Sequence, residues 1–112
     1  MATITKVQTP RPNLASSAIT MATITAGDLI KCDYKDEHTL FFCNISTAGD
    51  IVFEAGNGYA GNKDIVVTVP AGYCAFTLDS SFVKKMFGDN KGMIKVKSKT
   101  AAGTWAVVEA KV

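Results

Sequence analysis

The chain predicts an all-β fold: a small antiparallel β-sandwich, jelly-roll or immunoglobulin-like, with about eight short strands. An extended N-terminal arm and at most one short helix complete the expectation. Three observations carry it. Apolar and polar residues alternate with period two over short runs, which is the signature of half-buried strands. Turn-forming residues recur roughly every 8–12 positions. The chain has 112 residues, of which 47% are hydrophobic and 20% charged. That suffices for one core but is too short for two domains that fold unaided.

Residues 1–16 predict an extended arm, because Pro10 and Pro12 remove donors and bar helix from 9–13. Within it, residues 3–7 have strand composition. Residues 17–112 form the sandwich domain. Residues 17–25 alternate Ile19, Met21 and Thr23 against Ala18, Thr20 and Ala22, as an extended segment would. Residues 29–34 set Ile30, Cys32 and Tyr34 on one face. Residues 39–45 are continuously apolar and aromatic, so they predict a central strand buried on both faces. A turn at 46–50 and a return strand at 51–55 predict a hairpin. A glycine- and asparagine-rich loop at 56–63 leads to a β-branched strand at 64–69.

Pro70, Ala71 and Gly72 then make a turn. Residues 73–78 place Cys74, Phe76 and Leu78 together. Between 79 and 90, Asp79 or Ser80 can cap a short helix carrying Phe82, Val83, Met86 and Phe87. Strands at 93–97 and 104–110 close the fold. The expected core is Ile30, Cys32, Leu40, Phe41, Phe42, Ile51, Phe53, Ile65, Val67, Val69, Phe76, Leu78, Ile94, Val96, Trp105 and Val107.

Charge narrows the function. Twelve Lys+Arg face ten Asp+Glu, without the basic excess of a nucleic-acid binder. Residues 1–56 carry a net −2 and residues 57–112 a net +4. The lysines 84, 85, 91, 95, 97 and 99 supply most of the latter. They read as a solvated face, because Arg11 is the one arginine and arginine leads phosphate recognition. No apolar run reaches the roughly 18–20 residues of a membrane span. The N-terminus lacks a charged start followed by an apolar stretch, so no secretory signal is expected. No nucleic-acid or membrane partner is expected either. Cys32, Cys43 and Cys74 lack the close pairing of a zinc site or disulfide framework. They read as buried, reduced thiols of a protein made in a cytoplasm.

Candidate chemistry is thin. Residues 56–61 match G-x-G-x-x-G, but a β-branched run comes next where a dinucleotide site needs a helix. The expectation is a turn loop. Asp33, Asp36, Glu37 and His38 form an acidic cluster with the one histidine, matching no metal-ligand pattern. His38 near Cys43 is a weak nucleophile pair, since an apolar strand buries the sulfur. No catalytic residue, cofactor or metal is therefore expected, and the chain is not read as an enzyme. Tyr34, Tyr59, Tyr73 and Trp105 offer an alternative, a surface that stacks on sugars.

Some stretches are more distinctive: 39–45, 54–59 with 63–72, and 90–96. They read TLFFCNI, EAGNGY with KDIVVTVPAG, and NKGMIKV. From Asp36 to the C-terminus the chain resembles the head decoration, or capsid cement, proteins of tailed bacteriophages. The resemblance implies a structural virion protein that coats and stabilises the outer capsid surface by binding the major capsid protein. It implies synthesis in the bacterial host cytoplasm and a place on the virion exterior. A homo-oligomer, such as a trimer, is compatible, because Met86, Phe87 and Met93 promise apolar surface outside the core. The expected capsid contacts are Ile4, Val7, Pro10, Pro12 and Leu14, with the arm adding a strand to a shell subunit's sheet edge. The alternative is a tail or baseplate accessory, or a carbohydrate-binding sandwich.

Overall fold

The structure, a computed structural model, describes residues 3–8, 16–31, 38–58 and 62–109. Its strands are β1 (Thr3–Ile4), β2 (Val7–Gln8), β3 (Ala22–Thr23), β4 (Leu29–Lys31), β5 (Thr39–Thr47), β6 (Gly49–Phe53), β7 (Ile65–Val69), β8 (Gly72–Phe76), β9 (Met93–Lys99) and β10 (Ala102–Glu109). One sheet runs β1-β4-β9-β6-β7; the other runs β2-β10-β5-β8, with β3 also on β10. The fold is all-β, as expected.

The strand order resolves the open choice of topology. From β3 onward, successive strands alternate between the sheets, except for the β6–β7 hairpin. The facing orders β3-β10-β5-β8 and β4-β9-β6-β7 are jelly-roll connectivity. The sheets are mixed, not wholly antiparallel. β1 pairs with β4 and β2 with β10 in parallel. These extra strands come from the expected arm, whose residues 3–8 are divided between the two sheets. Ile4 enters the core, and Lys6 Nζ meets Glu109 Oε1 at 2.8 Å. Glu109 also accepts from Gln8 Nε2 at 3.2 Å.

The expected 39–55 hairpin is not formed. β5 and β6 lie in different sheets. The chain crosses over residues 100–101, whose amides donate to Asp50 O at 2.8 and 3.2 Å. Those bonds pull β6 away from β5. A second correction concerns β5 itself. It is interior to its sheet but buried on one face, with Phe41, Cys43 and Ile45 inward and Leu40 47% exposed. A two-layer sandwich has nothing to cover its outer faces. Gly103 marks the bulge where β10 meets β5. A Cβ there would crowd Asn44 O and stand 2.8 Å from Ile45 Cα, so glycine is required.

The expected helix shrinks to one 3-10 turn, Ser80–Phe82, whose Ser81 amide donates to Asp79 Oδ1 at 3.1 Å. After Val83 N and Lys84 N close on Ser80 O, it stops because Lys85 N donates instead to Met93 O at 2.9 Å. Met86 N and Phe87 N donate to Asn57 Oδ1 at 2.7 and 3.1 Å. A second helical turn would have to break those bonds.

The core centres on aromatic rings. Phe41 stacks on Phe76 at 4.9 Å, and its centroid lies 5.9 Å from Phe53 and 5.7 Å from Trp105. Phe53 comes from the opposite sheet, so this cluster joins the layers. Ile24, Ile30, Ile51, Val83, Ile94, Val96 and Val107 surround it. Sequence reading missed Ile4, Ile24, Ile45, Val83 and Ala101 as core residues, and wrongly included Leu40 and Phe42. Phe41→Ala should cost about 3–5 kcal/mol in urea unfolding. Leu40→Ser, one position away, should change stability by less than about 1 kcal/mol. Equal losses would contradict the assigned faces.

Candidate interaction surface

Alternation along β5 sets the site. With Phe41, Cys43 and Ile45 inward, Leu40, Phe42 and Asn44 stand on the outer face of the second sheet. Register then assembles their neighbours. Val108 lies opposite Leu40, Ala106 opposite Phe42, and Tyr73 opposite Asn44. The rings of Phe42 and Tyr73 stack at 6.0 Å with an interplanar angle of 15°. Tyr73 is 73% exposed. Val7 extends the face beyond Val108, its partner across the parallel pair. An apolar, aromatic stripe thus crosses β2, β10, β5 and β8.

Beside the stripe, the sandwich flank is formed by β7 and β8, the edge strands of the two sheets. Neither carries a charged residue, which is the usual protection of an exposed edge. An open groove of about 470 Å³ adjoins β7, lined by Ile65, Val67, Leu78 and Phe82, with Lys63, Asp64 and Asp79 at its rim. Lys63 Nζ lies 4.7 Å from the Phe82 ring centroid. A second apolar projection is Met86–Phe87, held out by Asn57; Phe87 is 53% exposed.

Lysines are partly paired. Lys85 Nζ meets Glu54 Oε2 at 3.0 Å and donates to Ala55 O at 2.6 Å. Lys97 Nζ meets Asp64 Oδ2 at 2.8 Å, while Ala55 N donates to Asp64 Oδ1 at 2.7 Å. The Lys97 hydrogen bond and the Ala55 amide hold the Asp64 carboxyl below the usual aspartate range. The same pairing raises Lys97. Lys97 thus sits in an exposed, mixed-charge surface, whereas the Lys85 side chain is only 14% exposed and departs from the expected solvated face.

The remaining sequence candidates are dispersed. The 56–61 motif leads into β7, not a helix, and Asn57 there ties residues 86–87. Asp33, Asp36 and Glu37 lie outside the described residues, as do Cys32, Tyr34 and Tyr59. Trp105 is wholly buried and presents no sugar-stacking surface. His38 is half-buried. Among the described residues no group of three or more His, Cys, Asp or Glu is placed to hold a metal. No described helix is long and apolar enough to cross a membrane.

Of the expected capsid contacts, Ile4 is in the core and Val7 is half-buried at the edge of the stripe. Pro10, Pro12 and Leu14 lie outside the described residues. Sequence reading missed Leu40 and Phe42 as surface residues. The signal that could have found them is that a two-layer fold leaves every second residue of a strand outside. No known protein family, curated protein or solved structure matches the chain.

The pairing of Asp64 has a pH consequence. Its depressed carboxyl gives a contribution present above the ordinary aspartate value of about 3.9. That contribution is lost as pH falls through the lower folded value. Lys97→Met should move the Asp64 titration up toward the ordinary range, as read by carboxyl-carbon NMR. An unmoved titration would contradict the pairing.

Proposed function

We propose that this protein is a structural, non-catalytic subunit that decorates and stabilises the outer surface of a tailed-phage capsid by binding the major capsid protein. The observation that carries the reading is the outward apolar stripe on one sheet face, with Leu40 and Tyr73 exposed and half-buried Phe42 stacked on the Tyr73 ring. Contiguous apolar surface marks interaction sites. Exposed aromatics on a fixed backbone supply large contact area at low entropic cost. The sequence resemblance supplies the class of partner. Jelly rolls serve in viral shells and in lectins, which supports the proposal only by fold-level analogy.

Burial of Ile4 shifts the proposed contact away from a free arm. In this proposal the shell meets Leu40, Phe42 and Tyr73, with Val7 at the rim. Pro10, Pro12 and Leu14 remain proposed contacts. Met86 and Phe87 are the proposed self-association surface of a homo-oligomer, such as a trimer, which would add avidity on a repeating lattice. Synthesis in a bacterial cytoplasm and residence on the virion exterior complete the proposal.

Leu40→Ser combined with Tyr73→Ser should weaken binding to undecorated shells by about tenfold or more. Co-sedimentation reads the binding, and thermal unfolding checks that the fold is unchanged. Unchanged binding with an intact fold would overturn the proposed contact.

One observation favours a second reading. Tyr73 stacked on Phe42 beside Asn44 is a platform of the kind that packs on a sugar ring. A carbohydrate-binding module should be retarded in a polysaccharide gel, and Tyr73→Ser should abolish the retardation. Free migration of the unaltered protein would exclude that reading for the polysaccharide used.

A further inference from the structure

Cys43 and Cys74 are Cα partners across the antiparallel β5–β8 pair. Such partners stand about 4.5–5.5 Å apart, inside the roughly 4.4–6.8 Å range of disulfides. Both side chains lie on the inner face. Cys43 is buried between Phe41 and Ile45, while Cys74 packs against the core from the edge strand. Both are free thiols, and the Cys43 thiol donates to Phe41 O at 3.8 Å.

We propose that Cys43 and Cys74 form a redox site that a small disulfide oxidant, such as oxidised glutathione, converts to a cross-strand disulfide stapling edge strand β8 to β5. This inference does not depend on the capsid reading.

The two thiols have distinct parts. Cys74 is half-buried on an edge strand and is reached first. Its thiolate attacks one sulfur of the oxidant, forming a mixed disulfide and releasing one glutathione thiolate. The Cys43 thiolate then attacks the Cys74 sulfur and displaces the second. The protein loses two electrons and two thiol protons. The oxidant's sulfur–sulfur bond takes the electrons, and the protons end on two glutathione thiols. Burial, with Cys74 beside it, pushes the Cys43 thiol up to about 12. The second step is therefore the slow one, and it accelerates as pH rises.

The fold supplies its own reporter. Trp105, the one tryptophan of the chain, is the Cα partner of Cys43 on its other side. Its emission should change when the sulfur is oxidised. Closing a loop of about 30 residues should raise the unfolding temperature by roughly 5 °C or more. It would also fix the strand that carries Tyr73.

The test treats the native full-length chain with excess oxidised glutathione at mildly alkaline pH. Peptide mass spectrometry should find a Cys43–Cys74 link with the loss of two hydrogens. Trp105 emission and the unfolding temperature should shift together, and dithiothreitol should reverse both. Cys32→Ser should form the same link. Cys74→Ser and, independently, Cys43→Ala should fold and show neither shift. Accumulation of only a mixed disulfide on Cys74, a link through Cys32, or a link formed only after denaturation would overturn the proposal.

Discussion

The contact between Phe41 and Phe53 governs both the core and the outer surface. Phe41 rises from β5 in one sheet and Phe53 from β6 in the other, with centroids 5.9 Å apart. Phe76 and Trp105 close around them. A small jelly roll has only two layers, so its core is one slab of side chains about 10 Å thick. Large rings fill that gap efficiently. Once Phe41 faces inward, the pleat puts Leu40 and Phe42 outside. The apolar surface is thus a consequence of the core, set by the same alternation.

The chain ends are drawn into this arrangement. The strand that begins the fold divides at residues 5–6, giving β1 to one sheet and β2 to the other. The Lys6–Glu109 pair, with Gln8, ties that division to the last strand. On the opposite flank the sandwich ends in two uncharged edges, β7 and β8. One flank therefore ends in the two-residue strands β1 and β2, while the other presents the five-residue, uncharged edges β7 and β8 beside Tyr73. This asymmetry gives the molecule a side suited to contact.

Much of the fold was legible in the sequence. Period-two alternation found β9 through Ile94 and Val96, and β10 through Trp105 and Val107. Turn chemistry at Pro70–Gly72 found the link from β7 to β8. What escaped was long-range. No local signal shows that residues 100–101 bond to Asp50 and prevent a β5–β6 hairpin. The Met93 carbonyl that takes the Lys85 amide, and the Asn57 side chain that takes those of Met86 and Phe87, come from other segments of the chain. Ile4 was legible as a strand residue but not as a core residue, because its partner Ile30 lies far along the chain. The proposed contact surface was hidden for a simpler reason. The run at 39–45 is apolar on both faces, and composition cannot distinguish a covered outer face from a bare one.

The decisive measurement is the copy number of this chain in purified virus particles from cells that make it, by quantitative mass spectrometry against the major shell protein. A decoration subunit should occur at a fixed lattice ratio, near one copy per shell subunit or a simple fraction of it. Its absence from the particles, or a few copies per particle, would contradict a role on the repeating capsid surface.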